Sequence, residues 1–340
     1  RMKNIRIGII CPSEIAFRRF LPSLQKEDGF TYMGVAVADP SEWDGEVADE
    51  VIANEFKKAE TFVESYGGKV YKSYHEVICA DDIDAVYLPL PPALHYRWAK
   101  LALEHGKHVF VEKPSTICYK DSMELITLAQ AKKLALHENY MFQYHQQIED
   151  VKEQLKKGTI GKVHSYHARF GFPMRPANDF RYNKALGGGA LLDAGGYVIK
   201  LATKLLGENI EMLSCVMKDY DEFGVDMYGS YMFKNEKDEV FLGEFGMDCE
   251  YQCKLSIWGS QGILSTDRIF TAPDNLCPTL HVLHNNEVSD IKLQADSHFR
   301  KSIRMFYEAV HDAATRERIY GEIKVQADMV DKARELAGRK

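Results

Sequence analysis

The sequence predicts an α/β chain: an N-terminal, Rossmann-type, doubly wound parallel sheet, followed by a C-terminal α+β domain with a large, mostly antiparallel, open sheet. Three observations point there. The first part of the chain alternates short β-rich runs with helix-period runs, as βαβ units do. From about Gly161 the texture changes to long alternating runs, which read as a sheet packed on one face and open on the other. A length of 340 residues, at roughly 150 per domain, leaves room for two domains, and a 45% apolar share can supply both with a core.

Strands are expected over residues 5–10, 32–38, 70–72, 85–88, 108–111 and 134–138. Between the fourth and fifth, Leu94, Trp98, Leu101 and Ala102 recur at helical spacing, placing one apolar stripe on a crossover helix that Gly106 ends. The boundary falls near residue 143, dividing the chain into a dinucleotide-binding domain, 1–142, and a substrate-binding and oligomerisation domain, 143–340. In the second domain the alternating runs 163–172, 228–233, 240–245 and 254–258 read as strands, with turns at Lys234-Asn235-Glu236 and 259–262. A glycine-led helix over 187–206 interrupts them, and two amphipathic helices follow from about Ser297.

Composition excludes several partners. The chain carries 43 basic and 50 acidic residues, net −7, with the signs mixed, so it offers no broad cationic surface to nucleic acid or to an anionic membrane. No run approaches the roughly 18 apolar residues of a membrane span, and Met2-Lys3-Asn4-Ile5-Arg6 has no apolar signal region. A cytoplasmic protein is expected. Seven scattered cysteines without a Cys-x-x-Cys pair argue for reduced thiols rather than a disulfide framework or zinc ribbon. His164 and His167 lie three apart in an apparent strand, on opposite faces, so no metal site is expected.

A dinucleotide fold needs a glycine-rich turn after its first strand, because the pyrophosphate must approach backbone amides at a helix start. Here Gly8-Ile9-Ile10 runs into Cys11-Pro12-Ser13-Glu14-Ile15-Ala16, with Cys11 and Ser13 at the first two glycine positions and only the small Ala16 in pattern. Alone, that segment can also be read as a βα turn that binds nothing, the lesser of the two readings. Asp39 follows the second strand, where a carboxylate accepts from ribose hydroxyls and repels a 2′-phosphate. That favours NAD over NADP. The acidic stretch beyond it, Glu42, Asp44, Glu46, Asp49, Glu50 and Glu55, reads as solvated.

Two further segments carry chemistry. The fifth strand ends in Glu112-Lys113-Pro114, at the sheet edge where ligands of open α/β sheets bind. Gly187-Gly188-Gly189 opens a helix that places Asp193 and Tyr197 four apart on one face. Glycine inside a helix costs about 1 kcal/mol relative to alanine, so Gly195 and Gly196 suggest that a nicotinamide or a sugar comes close to the backbone there.

These two motifs, Glu-Lys-Pro and Gly-Gly-Gly-x-Leu-x-Asp-x-Gly, in this order, resemble the Gfo/Idh/MocA sugar oxidoreductases, and the resemblance runs through nearly the whole chain. It implies that Lys113, Asp193 and Tyr197 form the catalytic group. It also implies that Cys11, Pro12, Ser13, Glu14, Ile15, Asp39, Leu88, Leu90, Pro91, His95, Glu112 and Lys113 line the cofactor, NAD or NADP. Most of the family has histidine where this chain has Tyr197, which points to the tyrosine-type subgroup. The segments 14–22, 138–142, 170–182 and 255–260 look most like sugar-nucleotide 3-ketoreductases, which commonly use NADPH with a Ser-Arg pair where this chain has Asp39-Pro40.

The expected activity is hydride transfer between a nicotinamide and a keto or hydroxyl carbon of a sugar, a nucleotide-linked deoxyhexose. Charge building on the oxygen needs a proton donor and an electropositive neighbour. Tyr197 can give the proton with Lys113 steadying the oxyanion; the reverse assignment makes Lys113 the acid. Arg169 and Arg181, with their planar forks, suit a substrate diphosphate, or else belong to a solvated edge. Two other classes stay open: an NAD-dependent glycosidase of the same fold, and a cofactor-free binding or regulatory relative. The open sheet invites a homodimer or homotetramer.

Overall fold

The computed structural model describes residues 4–339. Packing gathers the chain into two compact units: one holds the residues up to Thr116 with Lys120–Asn139 and Ser302–Lys324, the other Ile117–Tyr119, Tyr140–Lys301 and the residues from Val325 on. The chain passes from one to the other at Asn139 and Tyr140, close to the expected boundary near 143. It then returns to the first unit for 302–324, which a single boundary does not provide for.

In the first unit β1 (Ile5–Ile10), β2 (Phe30–Ala36), β3 (Lys69–Tyr71), β4 (Ala85–Leu88), β5 (His108–Glu112) and β6 (Leu136–Asn139) form a six-stranded sheet in the order β3-β2-β1-β4-β5-β6. Every pairing is parallel. Such strands are covered on both faces, so Ile7, Ile9, Val35, Val86, Phe110 and Val111 are all buried without strict alternation. The second strand starts earlier than the sequence suggests because Phe30, Thr31 and Tyr32 pair with Ile5, Arg6 and Ile7.

A π-helical turn over Ala16–Phe20 leads into α1 (Leu21–Leu24); α2 (Asp49–Tyr66), α3 (Tyr74–Cys79), α4 (Pro92–Glu104) and α5 (Tyr119–Lys132) follow. Gly106, with φ +75°, ends the α4 segment as expected. The buried stripe of α4 is His95, Trp98, Ala99, Ala102 and Leu103, while Leu94 and Leu101 are half-buried. The helix is thus rotated from its expected stripe, and a histidine occupies a core position.

The second unit contains α6 (Gln146–Lys156), β7 (Val163–Gly171), α7 (Gly196–Leu206), β8 (Ile210–Tyr220), β9 (Val225–Asn235), β10 (Val240–Gly246), β11 (Gln252–Gly259), β12 (Gly262–Thr266), β13 (Thr279–His284) and β14 (Glu287–Lys292). Its eight strands lie in the order β14-β13-β12-β11-β7-β10-β9-β8; only β7 and β10 run parallel. Phe233, Phe241, Leu255, Ile257 and Leu264 fill the inner face, and Val198, Ile199, Leu201 and Ala202 of α7 join them in one core. The outer face leaves Trp258 62% and Val216 71% exposed. β8 and β12 to β14 were not expected as strands: β8 loses alternation at register shifts, and β14 is polar and almost wholly exposed.

Helices α8 (His298–His311) and α9 (Ala313–Leu336) close the chain. Phe306 of α8 packs within the first unit, its ring 5.4 Å from that of Phe110. No helix among the described residues is long and apolar enough to cross a membrane. Phe241 is completely buried, so Phe241→Ala is expected to cost about 3–5 kcal/mol of stability, read as a lower urea midpoint at unchanged slope.

Candidate active site

The turn after β1 keeps the form of a phosphate-binding turn without its glycines. Cys11 has φ +87°, in the left-handed region that favours glycine. Its amide donates to the Ala36 carbonyl (3.1 Å), and the Ser13 amide turns back to the Cys11 carbonyl (2.9 Å). The Ser13 hydroxyl accepts from the Ala16 amide (3.2 Å), and Glu14 and Ile15 begin the helical turns. The first amides of a helix have no intrahelical acceptor and favour an anion. Burial, with Glu55 adding to it, pushes the Cys11 thiol up to about 12, so it brings no negative charge to oppose a pyrophosphate. Pro12, which lacks an N–H, is buried, while Glu14 points to solvent and pairs with Arg18. These residues fit a dinucleotide.

Asp39, beyond the end of β2, is half-buried. Its Oδ1 accepts from the Ser41 amide (3.0 Å) and hydroxyl (2.6 Å), which hold the carboxyl below its ordinary range. Leu88, the last residue of β4, and Leu90 beyond it are buried, and Pro91 leads into α4. Glu112 is nearly buried at the end of β5, with Oε1 accepting from the Tyr87 hydroxyl (2.6 Å) and the Asn139 amide (2.8 Å). Burial pushes that carboxyl upward. Lys113 follows, half-buried and joined to Pro114 by a cis peptide.

His95 departs from its expected role. It has no exposed surface, and its ring nitrogens lie 2.7 Å from the Pro114 carbonyl (Nδ1) and 2.7 Å from the Leu90 carbonyl (Nε2). The ring therefore ties the turn after β4 to the turn after β5 instead of facing a ligand. An imidazolium would serve both carbonyls, but complete burial outweighs them and pushes the ring down to about 4.

In the second unit a π-helical turn over Leu191–Gly195 carries Asp193, and Tyr197 stands at the start of α7. π-turns concentrate at functional sites. Asp193 accepts from Arg181 Nε (2.8 Å), whose Nη1 also reaches Asp179 (3.1 Å). Tyr197 is half-buried in an aromatic wall, its ring 5.1 Å from Phe170, 5.4 Å from Tyr140, 5.7 Å from Phe142 and 6.0 Å from Phe270. Nothing in the sequence pattern picked out that wall, since its members are scattered from 140 to 270. A cavity of about 810 Å³ opens beside the same segment, against Lys184, Gly187, Gly188 and Asp226, and takes in neither Asp193 nor Tyr197.

Two expectations fail here. Arg169 stands on the outer face of β7, bonded to Glu244, while its neighbour Phe170 faces Tyr197; strand alternation puts it on the wrong side to meet a substrate at Tyr197. Gly195 and Gly196 are crowded by the protein itself. A Cβ on Gly196 would lie 2.1 Å from the Tyr140 hydroxyl oxygen, and one on Gly195 would lie 3.1 Å from Leu191 and 3.3 Å from Phe245. The close approach is packing, not ligand.

Residues 5–140 match the oxidoreductase family with an NAD-binding Rossmann fold, and residues 148–265 match the GFO/IDH/MocA C-terminal domain. The chain belongs to the Gfo/Idh/MocA oxidoreductase family. Within it, the chain is 34% identical over 97% of its length, and 95% of the relative's, to a dTDP-3,4-didehydro-2,6-dideoxy-alpha-D-glucose 3-reductase from Actinomadura kijaniata. It is also 34% identical to the enzyme of that name from Saccharopolyspora spinosa, over 89% of this chain and 87% of the relative. The solved structure of KijD10, a 3-ketoreductase from Actinomadura kijaniata in complex with NADP and TDP-benzene, superposes with a TM-score of 0.90 at 33% identity, covering 98% of each chain.

The buried neutral His95 gives a pH dependence with a definite sign. Its folded value of about 4 lies below the ordinary 6.5, so its contribution is fully present above pH 6.5 and is lost as pH falls from there toward 4. Urea unfolding across this range should show a loss of up to about 3 kcal/mol that is shallower in His95→Gln.

Proposed function

We propose that this family member reduces a keto group on a nucleotide-linked deoxyhexose, with a nicotinamide nucleotide as partner. The observation that carries the reading is the Arg181–Asp193 pair (2.8 Å) one turn before Tyr197, itself set in an aromatic wall. The names of the relatives, 3-reductases of a dTDP-linked dideoxy sugar, support the substrate class. Solved variants of the 3-ketoreductase replace one lysine and one tyrosine whose separation along the chain equals that between Lys113 and Tyr197.

The nicotinamide, when bound, supplies the hydride. Tyr197 gives its phenolic proton to the oxygen on which charge builds, being a neutral donor near pH 7. Lys113 provides the electropositive neighbour that steadies that oxygen. Asp193, held by Arg181, orients the donor group or a sugar hydroxyl, and Arg181 offers its remaining Nη2 to a phosphate oxygen. The turn from Cys11 to Ile15 holds the pyrophosphate, and Asp39 the ribose. All seven cysteines are free, which suits a cytoplasmic setting.

The outer face of the eight-stranded sheet, with Leu213, Val216, Leu242 and Trp258 exposed, is the surface on which copies pair. Trp258→Asp should lower the mass measured by analytical ultracentrifugation; an unchanged mass would remove this face from the assembly. Tyr197→Phe should lower kcat by at least about 100-fold while nucleotide affinity stays within about twofold. Steady-state reduction of a dTDP-linked 3-keto sugar, alongside a titration of nucleotide fluorescence, measures both quantities. Unchanged turnover would take the proton-donor role away from Tyr197.

A further inference from the structure

Glu42 was expected to share the solvated acidic stretch, and it does not. Asp44, Glu46, Asp49 and Glu50 are exposed, whereas Glu42 keeps 6% of its surface. Its carboxylate collects four donors. Oε1 accepts from the Asp39 amide (2.8 Å) and the Tyr74 amide (2.9 Å), and Oε2 from the His75 amide (3.0 Å) and ring Nδ1 (2.7 Å). Two of these are the leading amides of α3, where a negative charge is favoured.

The turn from Asp39 to Glu42 is therefore fastened at both ends. Glu42 holds the Asp39 amide from one side, and Ser41 holds Asp39 Oδ1 from the other. Asp39 Oδ2 receives no protein donor among the described residues, at the edge of the sheet where an adenosine ribose arrives. An ionised carboxylate only accepts hydrogen bonds. A ribose diol can donate to it; a 2′-phosphate cannot, and brings nearly two negative charges of its own. The turn itself, Asp39-Pro40-Ser41-Glu42, contains no cation. The nearby Arg97 directs Nη1 to the Glu42 carbonyl (3.3 Å) and toward Asp44 (3.6 Å).

We infer that this chain selects NAD(H) over NADP(H), and that Glu42 sets the selection as a positioning residue by locking the Asp39 turn onto the start of α3. The inference rests on the reading of this sheet edge as the nucleotide site, and it separates the chain from the NADP-bound 3-ketoreductase. Selection then depends on a buried residue three positions beyond the one that meets the ribose.

The test is equilibrium titration of the full chain with NADH and NADPH, followed by nicotinamide fluorescence, with thermal melts of each variant alone to report folding. The wild type should bind NADH at least about tenfold tighter than NADPH. Asp39→Ser should bring the ratio toward one mainly by tightening NADPH. Glu42→Gln should bring it down mainly by weakening NADH, and His75→Ala, which removes one donor through a half-exposed side chain, should move it the same way by less. If Glu42→Gln does not melt cooperatively, His75→Ala decides. Equal or inverted affinities in the wild type overturn the selection. A ratio unmoved in folded Glu42→Gln and in His75→Ala overturns the role of Glu42. Absence of saturable binding by either nucleotide overturns the inference together with the nucleotide site beneath it, an outcome distinct from an unmoved ratio.

Discussion

The parallel sheet reverses its direction of growth at β1: the chain runs outward through β2 to β3, then returns to β4 on the other side and continues to β5 and β6. Connections leaving the neighbouring ends of β1 and β4 must therefore diverge, which opens a crevice at the carboxyl edge of the sheet. The Cys11 turn, Asp39, the turn from Leu88 to Pro91, and Glu112 with Lys113 all stand at strand ends along that one edge. The strands behind them are apolar because both faces are covered, so polar chemistry is confined to the edge, where the ladder ends.

Those edge loops are held by polar groups that sit inside. His95 joins the loops after β4 and β5, Glu112 gathers Tyr87 and Asn139, and Glu42 gathers α3 and the Asp39 turn. Each exchanges water for fixed donors or acceptors, and an unpaired group of the same kind would be costly. The second unit uses aromatic packing instead. Phe170, Phe142 and Phe270 restrict the Tyr197 ring, and the partial burial of Arg181 and Asp193 strengthens their pair.

Much of the fold was legible because its signals are local. β1 and β4 fall on their expected residues, and β7 and β10 come within a residue of theirs, since each is a short apolar or alternating run with clear ends. The helix that carries Tyr197 was legible from its leading glycines, and it ends at Leu206 as expected. What was not legible depended on partners distant in sequence. The burial of His95 follows from a carbonyl at Pro114, and that of Glu42 from amides at 74 and 75. Of the two roles open to Arg169 the structure gives the solvated edge, because an arginine in an alternating strand takes the face that its neighbour Phe170 leaves free. Gly195 and Gly196 suggest a ligand only while Phe245 and Tyr140, distant in sequence, are out of view, and these two fill the space.

The Cys11 turn has one more consequence, for labelling chemistry. Alkylating reagents attack thiolates, and a thiol held up to about 12 supplies almost none at neutral pH. Cys79 and Cys277 are exposed. A fluorophore or spin label offered to the native protein will thus favour the exposed thiols over Cys11, the residue that stands where a glycine was expected. The substitution that makes the turn look least like a nucleotide site also carries a thiol that stays protonated at neutral pH.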